Sequence, residues 1–166
     1  MRLPTKEELK DRFATVLMVA PTLSVVLMSA ILSLASGMMG IRDGAFTVFL
    51  GILSILSLVA SAVLSYVWDK RMPVALLAVV LWLCFFCYLA VVLSGTSDLL
   101  EDAFFQAITL VFTLPAFAYS SVVGGSSVGA LILTAILATM HTGVLIAVGV
   151  RRRKASQNKK KVKKRG

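Results

Sequence analysis

Long apolar stretches without a single Asp, Glu, Lys or Arg dominate this chain. Each stretch has at least 21 residues, and an α-helix needs roughly 20 residues to cross the ~30 Å hydrocarbon core of a bilayer. Apolar residues follow one another directly here, whereas a membrane-spanning strand would alternate polar and apolar positions. The pattern predicts five transmembrane helical segments, over residues 13–39, 45–68, 73–95, 103–123 and 127–150.

The composition agrees with this pattern. Hydrophobic residues make up 58% of the 166 residues and charged residues only 15%, which differs strongly from the balance of a water-soluble domain. We therefore predict an all-α protein, a polytopic transmembrane helical bundle whose five hydrophobic segments make four or five full crossings.

Residues 1–12 combine charged and apolar positions at helical spacing. Thr5 can cap a helix start with Glu8 three residues on, and Leu9 and Phe13 share one face. Two interpretations remain open. The segment is either an amphipathic N-terminal arm on the membrane surface or the first turns of the first transmembrane helix.

Residues 151–166 form a polybasic tail with ten Lys or Arg residues and no acid. We expect this tail to be disordered and to bind the anionic headgroups of membrane lipids. Ribosomal RNA or an acidic protein also fits the charge, although no aromatic residue is present to stack on bases. The basic residues are Arg151, Arg152, Arg153, Lys154, Lys159, Lys160, Lys161, Lys163, Lys164 and Arg165.

Positive residues near the ends of spans stay on the cytoplasmic side, which predicts a cytoplasmic C-terminus. Five crossings would place 11 basic residues inside and six outside. If residues 103–150 cross only once, both chain ends are inside, with 16 basic residues there and only Arg42 outside. Both topologies stay open, and so does the membrane, which is the plasma membrane of a prokaryote or the endoplasmic reticulum of a eukaryote.

Small side chains recur at helical spacing in three of the segments. In lipid, helices associate where small residues let their backbones approach closely. We therefore predict that these segments pack tightly and that the protein contacts other membrane-protein subunits or its own copies. The last segment carries a further row of Ala135, Thr139, Gly143 and Ala147. The predicted helix-packing residues are Ser29, Ser33, Gly37, Gly51, Ser57, Ser61, Ser65, Ala130, Thr134, Ala138 and Thr142.

His141 is the only ionisable residue in these segments apart from cysteines and tyrosines. An ionisable side chain at membrane depth suggests a function, and a polar pathway could include Gln106, with Asp98, Glu101 and Asp102 at its mouth. No Asp or Glu accompanies His141 inside a segment, so a neutral, hydrogen-bonded histidine is the favoured interpretation. The hydroxyls that would line such a pathway belong to Ser61, Ser65, Thr134 and Thr142.

Cys84 and Cys87 have redox spacing but lie in the middle of the third segment. A catalytic thiol needs an accessible thiolate, so we interpret both as packing residues, and a membrane thiol oxidoreductase is a remote alternative. Pro115, inside the fourth segment, is predicted to kink its helix.

The sequence contains no nucleotide-binding loop, no metal-ligand cluster and no nucleophile with a base. We therefore expect no enzyme activity, no cofactor and no metal site. The predicted function is that of a small non-enzymatic integral membrane protein, an accessory, assembly or structural subunit of a larger membrane complex. The alternative is a small oligomeric transporter or channel with a pathway lined by Ser, Thr and His.

Overall fold

The structure, a computed structural model, describes residues 6–38, 44–94 and 103–163, and this part of the chain contains five α-helices and no strand. It confirms the predicted all-α bundle. Four helices have stretches long and apolar enough to cross a membrane, and α4 has a shorter apolar stretch, Val111–Val122. The helices are α1 Lys6–Met38, α2 Gly44–Val67, α3 Arg71–Ser94, α4 Ala103–Val122 and α5 Ser127–Lys163.

Two helices extend beyond the apolar stretches that predicted them. The first helix, α1, begins at Lys6 and runs without interruption into the apolar stretch, so most of the predicted arm is the beginning of that helix. The last helix, α5, does not end near Val150 but continues to Lys163. Residues 151–163 are therefore helical, which differs from the disorder expected there. Lys, Arg, Ala and Gln favour helix, and basic residues near a helix C-terminus interact favourably with its dipole.

The fourth helix, α4, contacts each of the other four helices, as α2 and α3 also do. Ala116, Ala118 and Tyr119 on this helix have no solvent-exposed surface, and Pro115 is also buried. Pro115 lies inside α4 without ending it. The most extensive contact elsewhere joins α3 and α5. The core thus includes fully buried side chains of α4 together with residues of the other four helices.

Two short turns join helices that follow each other in the chain. Asp69, between α2 and α3, has a positive φ of 55°, a left-handed conformation that Asp tolerates better than most residues. Between α4 and α5, Gly124 and Gly125 have φ values of 69° and 82°, and the Gly125 amide donates to the Ser120 carbonyl over 2.7 Å. Glycine adopts this conformation without steric cost.

One end of the bundle gathers cationic side chains from three parts of the chain. Arg12 near the start of α1, Lys70 and Arg71 at the α2–α3 turn, and Arg152 on α5 surround one cavity there. We call this end the basic end. Since Arg12 and Arg152 flank the helical bundle in sequence, their meeting at one end is what an even number of crossings gives.

Candidate functional site

Three of the four hydroxyl groups of the predicted polar pathway, those of Ser61, Thr134 and Thr142, donate to the backbone of their own helices. Ser61 Oγ donates to the Leu58 carbonyl over 2.8 Å, and Thr134 Oγ1 to the Ala130 carbonyl over 2.7 Å. Such bonds to the preceding turn let a hydroxyl lie in an apolar core without a partner from another helix. This arrangement favours packing over the lining of an open path.

His141 lies on α5 with no exposed surface. Its Nδ1 is 2.8 Å from the Leu137 carbonyl oxygen, and because a carbonyl only accepts, Nδ1 carries the proton and donates it. The ring also faces the backbone of Leu58 on α2, but Nε2 makes no hydrogen bond with a described residue. Nδ1 is therefore the nitrogen that donates to the backbone of α5, and Nε2 lies in the core without a hydrogen bond among the described residues.

Four further buried side-chain oxygens make no hydrogen bond among the described residues, namely Ser54 Oγ, Ser65 Oγ, Asp69 Oδ1 and Tyr119 Oη. The Tyr119 phenol on α4 faces Ser54 on α2. An unpaired polar atom in an apolar interior costs free energy. Sequence reasoning missed Tyr119, although a tyrosine well inside an apolar stretch, rather than at its end, was a signal of a buried polar group.

Trp82 and Thr142 form a hydrogen bond between α3 and α5. The indole Nε1 donates to Thr142 Oγ1 over 3.1 Å, and this hydroxyl donates in turn to the Ala138 carbonyl over 2.9 Å. Phe85 and Phe86 pack against the indole, with ring centroids 5.6 and 5.7 Å away. The hydrogen bond between Trp82 and Thr142 fixes the register of α3 against α5.

Cys84 and Cys87 are free thiols on α3, Cys84 buried and Cys87 half-buried. In the part of the chain that is described, no group of three or more His, Cys, Asp or Glu side chains could hold a metal ion.

The structure buries most of the predicted helix-packing residues inside the chain's own bundle. The closest approach is at Gly51, where an added Cβ would lie 2.5 Å from the Ala118 carbonyl oxygen of α4. Ser57 and Thr142 are half-buried. The buried members are Ser29, Gly51, Ser61, Ser65, Ala130, Thr134 and Ala138.

The further row of small residues on α5 lies mostly on the surface of the bundle, unlike the neighbouring row of buried small residues. Thr139, Gly143 and Ala147 are exposed and Ala135 is half-buried. A Cβ added at Gly143 would meet no atom within 4 Å. We call these four residues the outer row of α5. No helix of the described bundle covers it closely.

The tail residues nearest the membrane, 151–157, are exposed on the helical extension of α5. The Arg151 guanidinium lies 5.5 Å from the centre of the Tyr66 ring. Arg152 donates from Nε to Asp69 Oδ2 over 3.3 Å and from Nη2 to the Asp69 carbonyl over 2.6 Å. The first turn of the tail is thus held against the α2–α3 turn.

Several predicted residues fall outside what the structure describes. Asp98, Glu101, Asp102, Lys164 and Arg165 lie outside the described residues. Other residues lie on described helices, but their side chains are outside the described part. These are Ser33, Gly37, Gln106, Lys159, Lys160, Lys161 and Lys163.

The surface of the described bundle is apolar, as in proteins surrounded by lipid. Phe13 is 69% exposed and Leu93 77% exposed, which in water would be costly for so many large side chains. Together with four helices of spanning length, this surface defines a polytopic α-helical membrane protein. Comparison of the chain with protein families, with curated proteins and with solved structures finds no match.

Proposed function

We propose that this membrane protein is a non-enzymatic accessory, assembly or structural subunit of a larger membrane complex. The observation that carries the proposal is the outer row of α5. Small residues at four-residue spacing allow a second helix to approach the backbone closely. The buried small residues are already used by the chain itself, whereas the outer row remains open for a partner.

The surroundings of the outer row fit a helix-sized partner. A surface groove of about 500 Å³ is lined by Ile132, Ala135, Ile136, Thr139 and Met140. Two of its lining residues, Ala135 and Thr139, belong to the outer row of α5. A transmembrane helix from another subunit, or from a second copy of this chain, would gain van der Waals contact there that lipid chains supply less well.

The test compares the mass of the complex extracted in mild detergent from cells that express either the parent protein or a variant with a large side chain in the outer row of α5. In Gly143→Leu, the new side chain occupies the space of the partner, so the partner should be lost and the mass should fall to that of the single chain. Ala90→Leu is the matched control, because Ala90 is also small and exposed but lies on α3. An unchanged mass in Gly143→Leu would count against the proposal.

For the topology, we propose four crossings with both chain ends in the cytoplasm. The gathering of Arg12 and Arg152 at the basic end supports an even number, and this topology places 16 basic residues inside and only Arg42 outside. Reporter domains fused to either end should both be active on the cytoplasmic side. Reporters on opposite sides would refute it.

The second candidate function, a small transporter or channel, is supported by the unpaired polar atoms of Ser54, Ser65, Tyr119 and His141 in the core. Such atoms interact favourably with water or a passing ion. His141→Leu should then abolish flux into reconstituted vesicles, whereas the neighbouring Met140→Leu should leave it unchanged. Absence of flux with the parent protein would exclude this candidate.

A further inference from the structure

The cavity at the basic end is built from parts of the chain that are distant in sequence. Arg12 comes from α1, Lys70 and Arg71 from the α2–α3 turn, and Arg152 from α5. Its volume is about 520 Å³, within the range of roughly 300–1,000 Å³ typical of small-molecule sites. Folding therefore brings four cationic side chains around one space.

Among the side chains that the structure describes, the charges around this cavity are unbalanced. No described Asp or Glu lines it, and the neighbouring acid, Asp69, is already bound by Arg152 through Oδ2. Gathering like charges is unfavourable unless an anion lies among them. With Asp69 counted, the three arginines Arg12, Arg71 and Arg152 leave a net charge of +2 among these described side chains, which suits an anionic group.

Arg152 is oriented for such a group. Its Nε and Nη2 are occupied by Asp69, which fixes the plane of the guanidinium. Five N–H donors are available on a guanidinium, so Nη1 can still donate to a second anion. Arginine binds phosphate oxygens through this fork of donors.

The cavity lies where the membrane-spanning stretches begin. Two of these stretches, Arg12–Leu32 and Arg71–Leu93, start with residues of the cavity wall. The same wall includes Val16 and Met72, which are 61% and 64% exposed. A ligand in this position meets both cationic and apolar side chains. This combination suits an amphiphilic molecule.

We propose that this cavity is a binding site for one anionic phospholipid. The phosphate oxygens accept hydrogen bonds from Arg12, Arg71 and Arg152, and an acyl chain lies along Val16 and Met72. Phosphate and guanidinium supply the charge-assisted bonds, and the apolar wall distinguishes the lipid from a free phosphate. This is a defined site for one molecule, separate from the diffuse attraction that the whole tail exerts on anionic headgroups.

The test counts the lipids bound to the purified full-length protein by native mass spectrometry in mild detergent. The probes are dioleoylphosphatidylglycerol, cardiolipin, dioleoylphosphatidylcholine and inorganic phosphate. One anionic lipid should bind per chain at saturation, cardiolipin more tightly than the singly charged lipid, and the neutral lipid should not compete. Competition by inorganic phosphate as strong as that by lipid would overturn the proposal in favour of a free-anion site.

The variants separate the cavity from the tail. Arg71→Gln and Arg12→Gln each remove one charge-assisted bond, and the affinity for the anionic lipid should fall about tenfold or more. Arg153→Gln removes the same charge from the exposed tail and should change the affinity less than about twofold. Equal losses in all three variants would overturn the proposal, because binding would then follow total charge. Helicity of each variant confirms that it folds.

Discussion

Replacing Gly51 by Ala tests the contact at the centre of the bundle. Gly51 on α2 faces α4, and its new Cβ would lie 2.5 Å from both the Ala118 carbonyl oxygen and Val122 Cγ2. The valine methyl can move by rotation of its side chain, but the carbonyl belongs to the backbone of α4. Since a carbon–oxygen contact needs roughly 3.3 Å, the two helices must separate by roughly 0.8 Å.

The free-energy cost of this separation can be estimated from substitutions that overpack the cores of other proteins. Added methyl groups in a tight core cost about 1–3 kcal/mol, and Ala in a helix regains roughly 1 kcal/mol over Gly. The free energy of unfolding of Gly51→Ala should therefore lie between that of the parent and about 2 kcal/mol below it, and about 1–3 kcal/mol below that of a Gly→Ala variant without a clash. The assay is unfolding of the purified protein in mild detergent by added dodecyl sulfate, followed by helicity.

Gly149→Ala is the matched control, because a Cβ there meets no atom within 4 Å. It gains the same helix propensity without a clash, so its stability should equal or exceed that of the parent. If Gly51→Ala is as stable as Gly149→Ala, then α2 and α4 do not approach each other as closely as the structure has them, and the reasoning fails.

Three further predictions concern single contacts. A double-mutant cycle of Trp82→Phe and Thr142→Val should give a coupling free energy of unfolding of about 0.6 kcal/mol, the average for interhelical hydrogen bonds in membranes. A coupling free energy of zero would exclude this hydrogen bond. Asp69→Val should be about 1–2 kcal/mol less stable than Asp69→Asn, because both variants lose the charge but only valine is strained at positive φ. Equal stability of the two variants would contradict the left-handed conformation of residue 69. Cys84 should resist a water-soluble maleimide in intact membranes and react after denaturation, with Cys87→Ser removing the other thiol. Labelling before denaturation would place Cys84 in water.

Hydropathy predicted the fold class and the interior of each helix, because any membrane-spanning helix must be long and apolar. It could not locate the end of α5 at Lys163, since hydropathy stops at the first charged residue whereas helix propensity does not. The fully buried side chains of α4 were also not predictable. Its apolar composition resembles that of α2 and α3, and only tertiary packing decides which side chains lie in the core.

The candidate sites were harder to predict, because they depend on which face of a helix points inward. Ala138 and Thr139 are neighbours of similar size on α5, yet Ala138 is buried and Thr139 exposed. Spacing alone identified both small rows and could not assign one to the core and one to a partner. The cavity at the basic end was missed for a related reason. With the number of crossings open, nothing in the sequence placed Arg12 beside Arg152.

The last helix, α5, connects the two proposals and also keeps them separable. Gly143 and Arg152 are nine residues apart, which is roughly 14 Å along a helix, so the outer row lies deeper in the membrane than the lipid cavity. Gly143→Leu should therefore remove the partner without weakening lipid binding, and Arg71→Gln should weaken lipid binding without changing the mass of the protein complex. If either variant changes both properties, the lipid itself must lie in the interface, since the two sites share no residue.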